Sequence, residues 1–81
     1  MPLYFFDVVE DDRHMVDDEG TELDNQEAAR LEAIQAMAEL ANDRLPGLSR
    51  KHAKMIVRDD AERHIFELEF TFAVRGLGRA T

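Results

Sequence analysis

His64-Ile65-Phe66-Glu67-Leu68-Glu69-Phe70-Thr71-Phe72 alternates apolar and polar side chains from Phe66 onward without a break. In an extended chain successive side chains point to opposite faces, so Phe66, Leu68, Phe70 and Phe72 share one face and Glu67, Glu69 and Thr71 the other. One buried face and one wet face is the pattern of an antiparallel sheet covered on one side. The stretch predicts a strand over residues 64–74.

Upstream, Asp59-Asp60-Ala61-Glu62-Arg63 reads as a hairpin connection. It joins the strand to an earlier one over residues 53–58, with Met55 and Val57 on one face; residues 46–52 read as a loop. The amino-terminal run Leu3-Tyr4-Phe5-Phe6-Asp7-Val8-Val9 is aromatic and β-branched, again a strand. Tyr4, Phe6 and Val8 share a face; Phe5 and Val9 lie opposite, with Asp7 between them. The turn Glu10-Asp11-Asp12-Arg13 leads to a short strand through His14, Met15 and Val16. Asp17-Asp18-Glu19-Gly20 fits a type I turn with Gly20 at positive φ.

The middle of the chain is a helix. Asp24 is placed to cap it, with Glu27 where a capping-box acid belongs, and the pattern runs from Asn25 to Arg44. Pro46 disfavours helical geometry at Leu45 and so predicts the stop. Glu32, Gln35, Glu39, Asn42 and Asp43 occupy one arc of roughly 100° at 3.6 residues per turn. The rest of the circumference holds Ala29, Ala33, Ile34, Ala36, Met37, Ala38, Leu40, Ala41 and Leu45, broken by Arg30 and Arg44. That arc is wider than the stripe one sheet covers. Two readings compete: the alanines simply let the helix lie close to the sheet, or, the reading preferred, the helix lays one flank on the sheet and another on a partner chain, with Ala29, Ala33, Ala36, Met37 and Leu40 as interface.

The order is ββαββ: an α+β fold with one long helix packed on a mostly antiparallel four-stranded sheet. Residues 1–75 form one domain and residues 76–81 a tail, and Tyr4, Phe6, Phe66, Phe70 and Phe72 form the aromatic heart of the core. The 81 residues are 44% hydrophobic and 35% charged, too apolar for a disordered chain, and no cysteine is available for a disulfide or thiolate metal site. No apolar run reaches membrane-spanning length and no targeting segment opens the chain, so a cytoplasmic protein is expected.

The net charge of −8 argues against nucleic acid and anionic membranes as partners. Its distribution is uneven. Residues 7–43 hold thirteen acids and two bases, whereas residues 44–58 hold five bases and no acid. Arg44, Arg50, Lys51, Lys54 and Arg58 thus form a basic stripe, a candidate anion or partner contact. An acidic half followed by a basic stripe suggests self-complementarity, within the fold or between copies.

No catalytic constellation is evident. The acids around His14 do not fit the spacing of a calcium loop. His14, His52 and His64 lie in separate segments without metal-pair spacing, and Ser49, the only serine, has no nucleophile-elbow context. Gly76-Leu77-Gly78 precedes no helix. Neither a metal nor another cofactor is expected. Pro2 stands apart: freed by removal of Met1, its ring nitrogen would be a secondary amine able to act as a base, the arrangement used by small tautomerases. In those enzymes, however, the first strand leads into a helix rather than an acidic hairpin.

Several short motifs carry a family resemblance: the opening Met1-Pro2-Leu3-Tyr4-Phe5-Phe6-Asp7, the stretch Asp17-Asp18-Glu19-Gly20-Thr21-Glu22-Leu23, the helix start Glu27-Ala28-Ala29-Arg30, the strand end Val57-Arg58-Asp59 and the final aromatic strand. Together they resemble a family of small uncharacterised bacterial proteins, frequent in rhizobia and related alphaproteobacteria. One departure is visible: the family usually has Gly in the last hairpin turn, where this chain has Glu62-Arg63. The resemblance implies a domain of unknown function and transfers no catalytic residue. The expected role is a non-enzymatic interaction or regulatory module, a homodimer with a further protein partner. The alternatives are a tautomerase-type enzyme using Pro2 and, third, an antitoxin-like module.

Overall fold

A computed structural model describes residues 1–11 and 13–78. The expected tail over residues 76–81 therefore lies partly outside them. Six elements follow in order: β1 (Leu3–Glu10), β2 (Arg13–Met15), β3 (Thr21–Glu22), α1 (Gln26–Arg44), β4 (Arg50–Asp59) and β5 (His64–Ala73). The fold is α+β, with one helix on an antiparallel sheet whose main order is β2-β1-β4-β5. The sheet has five strands rather than four, because β3 also pairs with β1.

The extra strand arises from the way residues 13–22 run along β1. β2 pairs with its carboxyl half, Val8 opposite Met15, and β3 with its amino half, Tyr4 opposite Thr21. Phe6 falls in the gap, and its amide donates instead to the Asp17 carboxylate at 3.0 Å. A side chain thus replaces a ladder bond where the returning chain leaves the strand. Val16, expected in the short strand, lies just beyond it.

β1 and β4 pair from Tyr4–Asp59 to Glu10–Ala53, and β4 and β5 from Arg50–Ala73 to Arg58–His64 with a bulge near Val57 and Arg58. The helix side of the sheet carries Tyr4, Phe6 and Val8, then Ala53, Met55 and Val57, then Phe66, Leu68 and Phe70. Ala29, Ala33 and Met37 of α1 close over them. Only Tyr4, Ala29, Ala33, Met37, Ala53, Met55 and Val57 are buried hydrophobics among the described residues. Phe6, Phe66 and Phe70 pack against that core while partly exposed, and Phe72 lies outside it. The expected aromatic heart is therefore a half-covered row, because β5 is the outermost strand and no element lies beyond it among the described residues.

Three boundaries shift for local reasons. The cap is Asn25, not Asp24: Asn25 is extended and its side chain accepts the Ala28 amide at 2.9 Å. The helix does end before Pro46, but Leu45 keeps right-handed helical angles, φ −73° and ψ −32°. The missing N–H of proline, rather than a strained Leu45, stops the ladder. β4 begins at Arg50, taking in three residues expected in a loop, because the long β5 offers them partners. Gly20 has the expected positive φ, +77°. A Cβ there would lie 2.8 Å from the Phe5 ring, so glycine is required by space as well as by backbone.

Candidate functional site

The open face of the sheet holds a buried ionic clasp. Arg58 on β4 donates to both Asp7 carboxylate oxygens on β1, at 2.8 and 3.1 Å, and to the Asp17 carbonyl oxygen at 2.9 Å. Its guanidinium lies over the Phe5 ring, 4.9 Å from the centroid. The Asp17 amide donates to Asp7, while the Asp17 carboxylate accepts from the amides of Phe6, Glu19 and Gly20. Burial would raise the Asp7 carboxyl, but Arg58 and the Asp17 amide hold it below the ordinary carboxylate range. Asp17 is likewise held low, burial being outweighed by the three backbone amides. The clasp thus fastens three segments of the chain.

Asp7, Asp17, Gly20, Arg58 and Asp59 come from three of the motifs that carried the family resemblance. Those motifs are distant in sequence and meet here. Asp59 organises the last hairpin: its carboxylate accepts from the amides of Ala61 and Arg63, both at 2.9 Å, and from Arg63 Nε at 2.8 Å. Those contacts, the Arg63 amide foremost, hold Asp59 low. Glu62 sits at φ +63°, the left-handed region that glycine prefers.

On the helix side Glu10 is 1% exposed. One of its oxygens, Oε1, takes Lys51 Nζ at 2.9 Å and Arg44 Nε at 3.2 Å, while the buried Oε2 has no partner. The Lys51 hydrogen bond, with Arg44 in support, holds the Glu10 carboxyl low against its burial. Lys51 also meets Asp11 at 3.2 Å, and Lys54 meets Glu67 at 3.2 Å. Four of the five residues of the basic stripe are thus engaged by acids of the same chain. Arg50 has no ion pair among the described residues, and it lines a cavity of about 340 Å³ at the sheet end with Lys51, His52 and Arg75.

Of the expected interface residues, Ala29, Ala33 and Met37 are buried on the chain's own sheet and Ala36 and Leu40 are partly buried beside them. The helix instead leaves Leu31 and Ile34 exposed, 51% and 43%. Ala38, Ala41, Asn42, Leu45 and Pro46 line an open groove of about 500 Å³ whose other wall is Phe72 of β5. By helical spacing Leu31, Ile34, Ala38, Ala41 and Leu45 form one stripe, on the side of the helix that overhangs β5. The second apolar flank exists, rotated from where the alanines suggested.

The two sheet edges differ. On the β1 side the backbone is met by β2, Asp17 and β3 in turn. On the other side β5 runs ten residues with no neighbour among the described residues. The Val74 amide donates to Ser49 O across the hairpin, 2.8 Å. Backbone groups alternate sides along a strand, so Phe66, Leu68, Phe70 and Phe72 bond to β4 while Glu67, Glu69, Thr71 and Ala73 point their N–H and C=O outward. This edge carried no signal in the sequence, because alternation marks a strand without saying whether it is central or outermost.

Pro2 is exposed; its carbonyl accepts the Leu23 amide at 3.1 Å, and it lines neither cavity. His14 and His64 are exposed on separate strands, and His52 pairs with Glu69. Among the described residues no cluster of three or more His, Cys, Asp or Glu is placed to hold a metal, and no helix is long and apolar enough to cross a membrane.

Fold and clasp together define a small α+β domain with one helix on a single antiparallel sheet. The chain belongs to the family described as Domain of unknown function (DUF6894), whose model matches residues 3–71. No curated protein and no solved structure matches it.

Proposed function

We propose that the domain is a non-catalytic protein-interaction module that binds by accepting a further strand on the β5 edge. The carrying observation is the contrast between the two edges: one consists of two short strands separated by a carboxylate, the other is a single ten-residue strand that presents four residues of unpaired backbone. Long, flat edges with an apolar face are normally blunted by charge, proline or a covering element. Here the helix covers the row of Phe66, Leu68, Phe70 and Phe72 only in part.

The test is Thr71→Pro. The Thr71 amide faces outward, so proline removes no bond to β4 but blocks an added strand. Native mass spectrometry of gently purified protein is expected to show the wild type associated and the variant alone, with unchanged circular dichroism. A folded variant that associates like the wild type overturns the reading.

A further inference from the structure

We infer that the strand completing β5 is β5 of a second copy of this chain, paired antiparallel about a two-fold axis at Phe70. The inference rests on the strand-addition reading above and names its partner. In an antiparallel ladder, outward-facing residues must meet outward-facing residues. Centring the axis on Leu68 sets Glu67 against Glu69 of the partner subunit twice, and centring it on Glu69 sets that carboxylate against itself; like charges directly opposite are destabilising. Centring on Thr71 sets outward-facing Glu67 against the partner's Arg75, so the hydrogen-bonding pairs run past Ala73, where the strand ends.

Centring on Phe70 avoids all three faults. Glu69 meets the partner's Thr71 and Glu67 meets the partner's Ala73, so the four outward residues satisfy one another with no carboxylates opposed. Glu67 then stands one diagonal step from the partner's Arg75, a cation with no ion pair among the described residues. On the helix side Phe70 faces its own copy, Leu68 faces the partner's Phe72, and Phe66 faces the partner's Val74. The half-covered row is thereby covered, as is Val74, which is 59% exposed in the single chain.

The helices agree with this arrangement. A two-fold axis perpendicular to the sheet places both on one side, each turning its stripe of Leu31, Ile34, Ala38, Ala41 and Leu45 toward the other. Strands lie about 4.8 Å apart, so β4 is about 7 Å from the axis, and helices seated between β4 and β5 come about 10–14 Å apart. Packed helices lie about 8–10 Å apart, within a small tilt of that range. The groove between α1 and Phe72 becomes the seam. One chain supplies both halves of a matched edge, which favours a second copy over a foreign strand.

The chain has no cysteine, so Glu69→Cys and Thr71→Cys each introduce a single thiol. In the register centred on Phe70 these positions face each other at about 5.5 Å between Cα atoms, within disulfide range, while like positions are too far apart. Equimolar variants, refolded together and mildly oxidised, are expected to give at least tenfold more disulfide dimer than either alone. Dimer from Glu69→Cys alone, or from Thr71→Cys alone, overturns the register. A wild type that sediments as a monomer overturns the second copy. In that case Thr71→Pro decides the underlying reading separately: a foreign partner released by the variant keeps strand addition, and no partner in either protein removes it.

Discussion

Replacing Arg58 by Ala tests the clasp that holds the amino-terminal strand, the Asp17 turn and β4 together. Asp7 and Arg58 keep 10% and 13% of their side-chain surface exposed. Removing one partner of a buried pair costs about 3–5 kcal/mol, because the other charge is left without compensation. Residual water contact reduces that figure, while losing the contact over Phe5 adds about 0.5–1 kcal/mol. We expect a loss of about 3 kcal/mol. A domain of this length has only about 4–12 kcal/mol in total. At a urea slope of about 1–1.5 kcal/mol per molar, the midpoint should fall by about 2–3 M. Urea titration followed by far-UV circular dichroism reads the shift, and Arg58→Lys should fall between, keeping the charge but losing the two-pronged geometry. An Arg58→Ala midpoint within about 0.3 M of wild type at equal slope would refute the clasp as a stabilising element.

Gly20→Ala combines a positive φ with a Cβ 2.8 Å from the Phe5 ring, so thermal unfolding should show a loss of about 1–3 kcal/mol. Glu62→Gly relieves the left-handed backbone of the last turn and sacrifices only an exposed contact to Arg58; a gain of about 0.5–1 kcal/mol is expected in the same assay. Asn25→Ala removes the cap bond to the Ala28 amide and should cost about 1 kcal/mol. Asp7, Glu10 and Asp17 all titrate below their ordinary values. The stability they contribute is full above pH of about 4–5 and is lost as the pH falls through their folded-state values. Urea midpoints from pH 7 to pH 2 should therefore decline steeply only at the acid end, and Arg58→Ala should flatten that decline.

The elements with strong periodicity were legible from the residues alone: β5 from its alternation, α1 from its composition and the proline behind it, Gly20 from its turn. What was hidden depends on pairing between distant segments. β3 is two residues long, and the Asp17 carboxylate stands in for a ladder bond that no local pattern announces. The basic stripe suggests self-complementarity, within the fold or between copies, but the acids that engage it lie on β1, in the turn after it and on β5, which only the sheet order brings beside the stripe. The wide apolar arc of α1 was visible, but which half lies on the sheet follows from the side chains of β4. Ala29 and Ala33 let the helix sit close, and the larger Leu31 and Ile34 are left outside. The edge proposed to bind is the least legible feature, since an outermost strand and a central one share the same alternation.

Amide hydrogen exchange along β5 tests the central claim most directly. In wild-type protein at micromolar concentration, the outward amides of Glu67, Glu69, Thr71 and Ala73 are expected to be as protected as the inward amides of Leu68, Phe70 and Phe72. They should lose that protection on dilution and in Thr71→Pro. Fast exchange at the four outward positions, with the inward ones still slow at every concentration, would show an edge that does not pair with a second copy and would contradict the account.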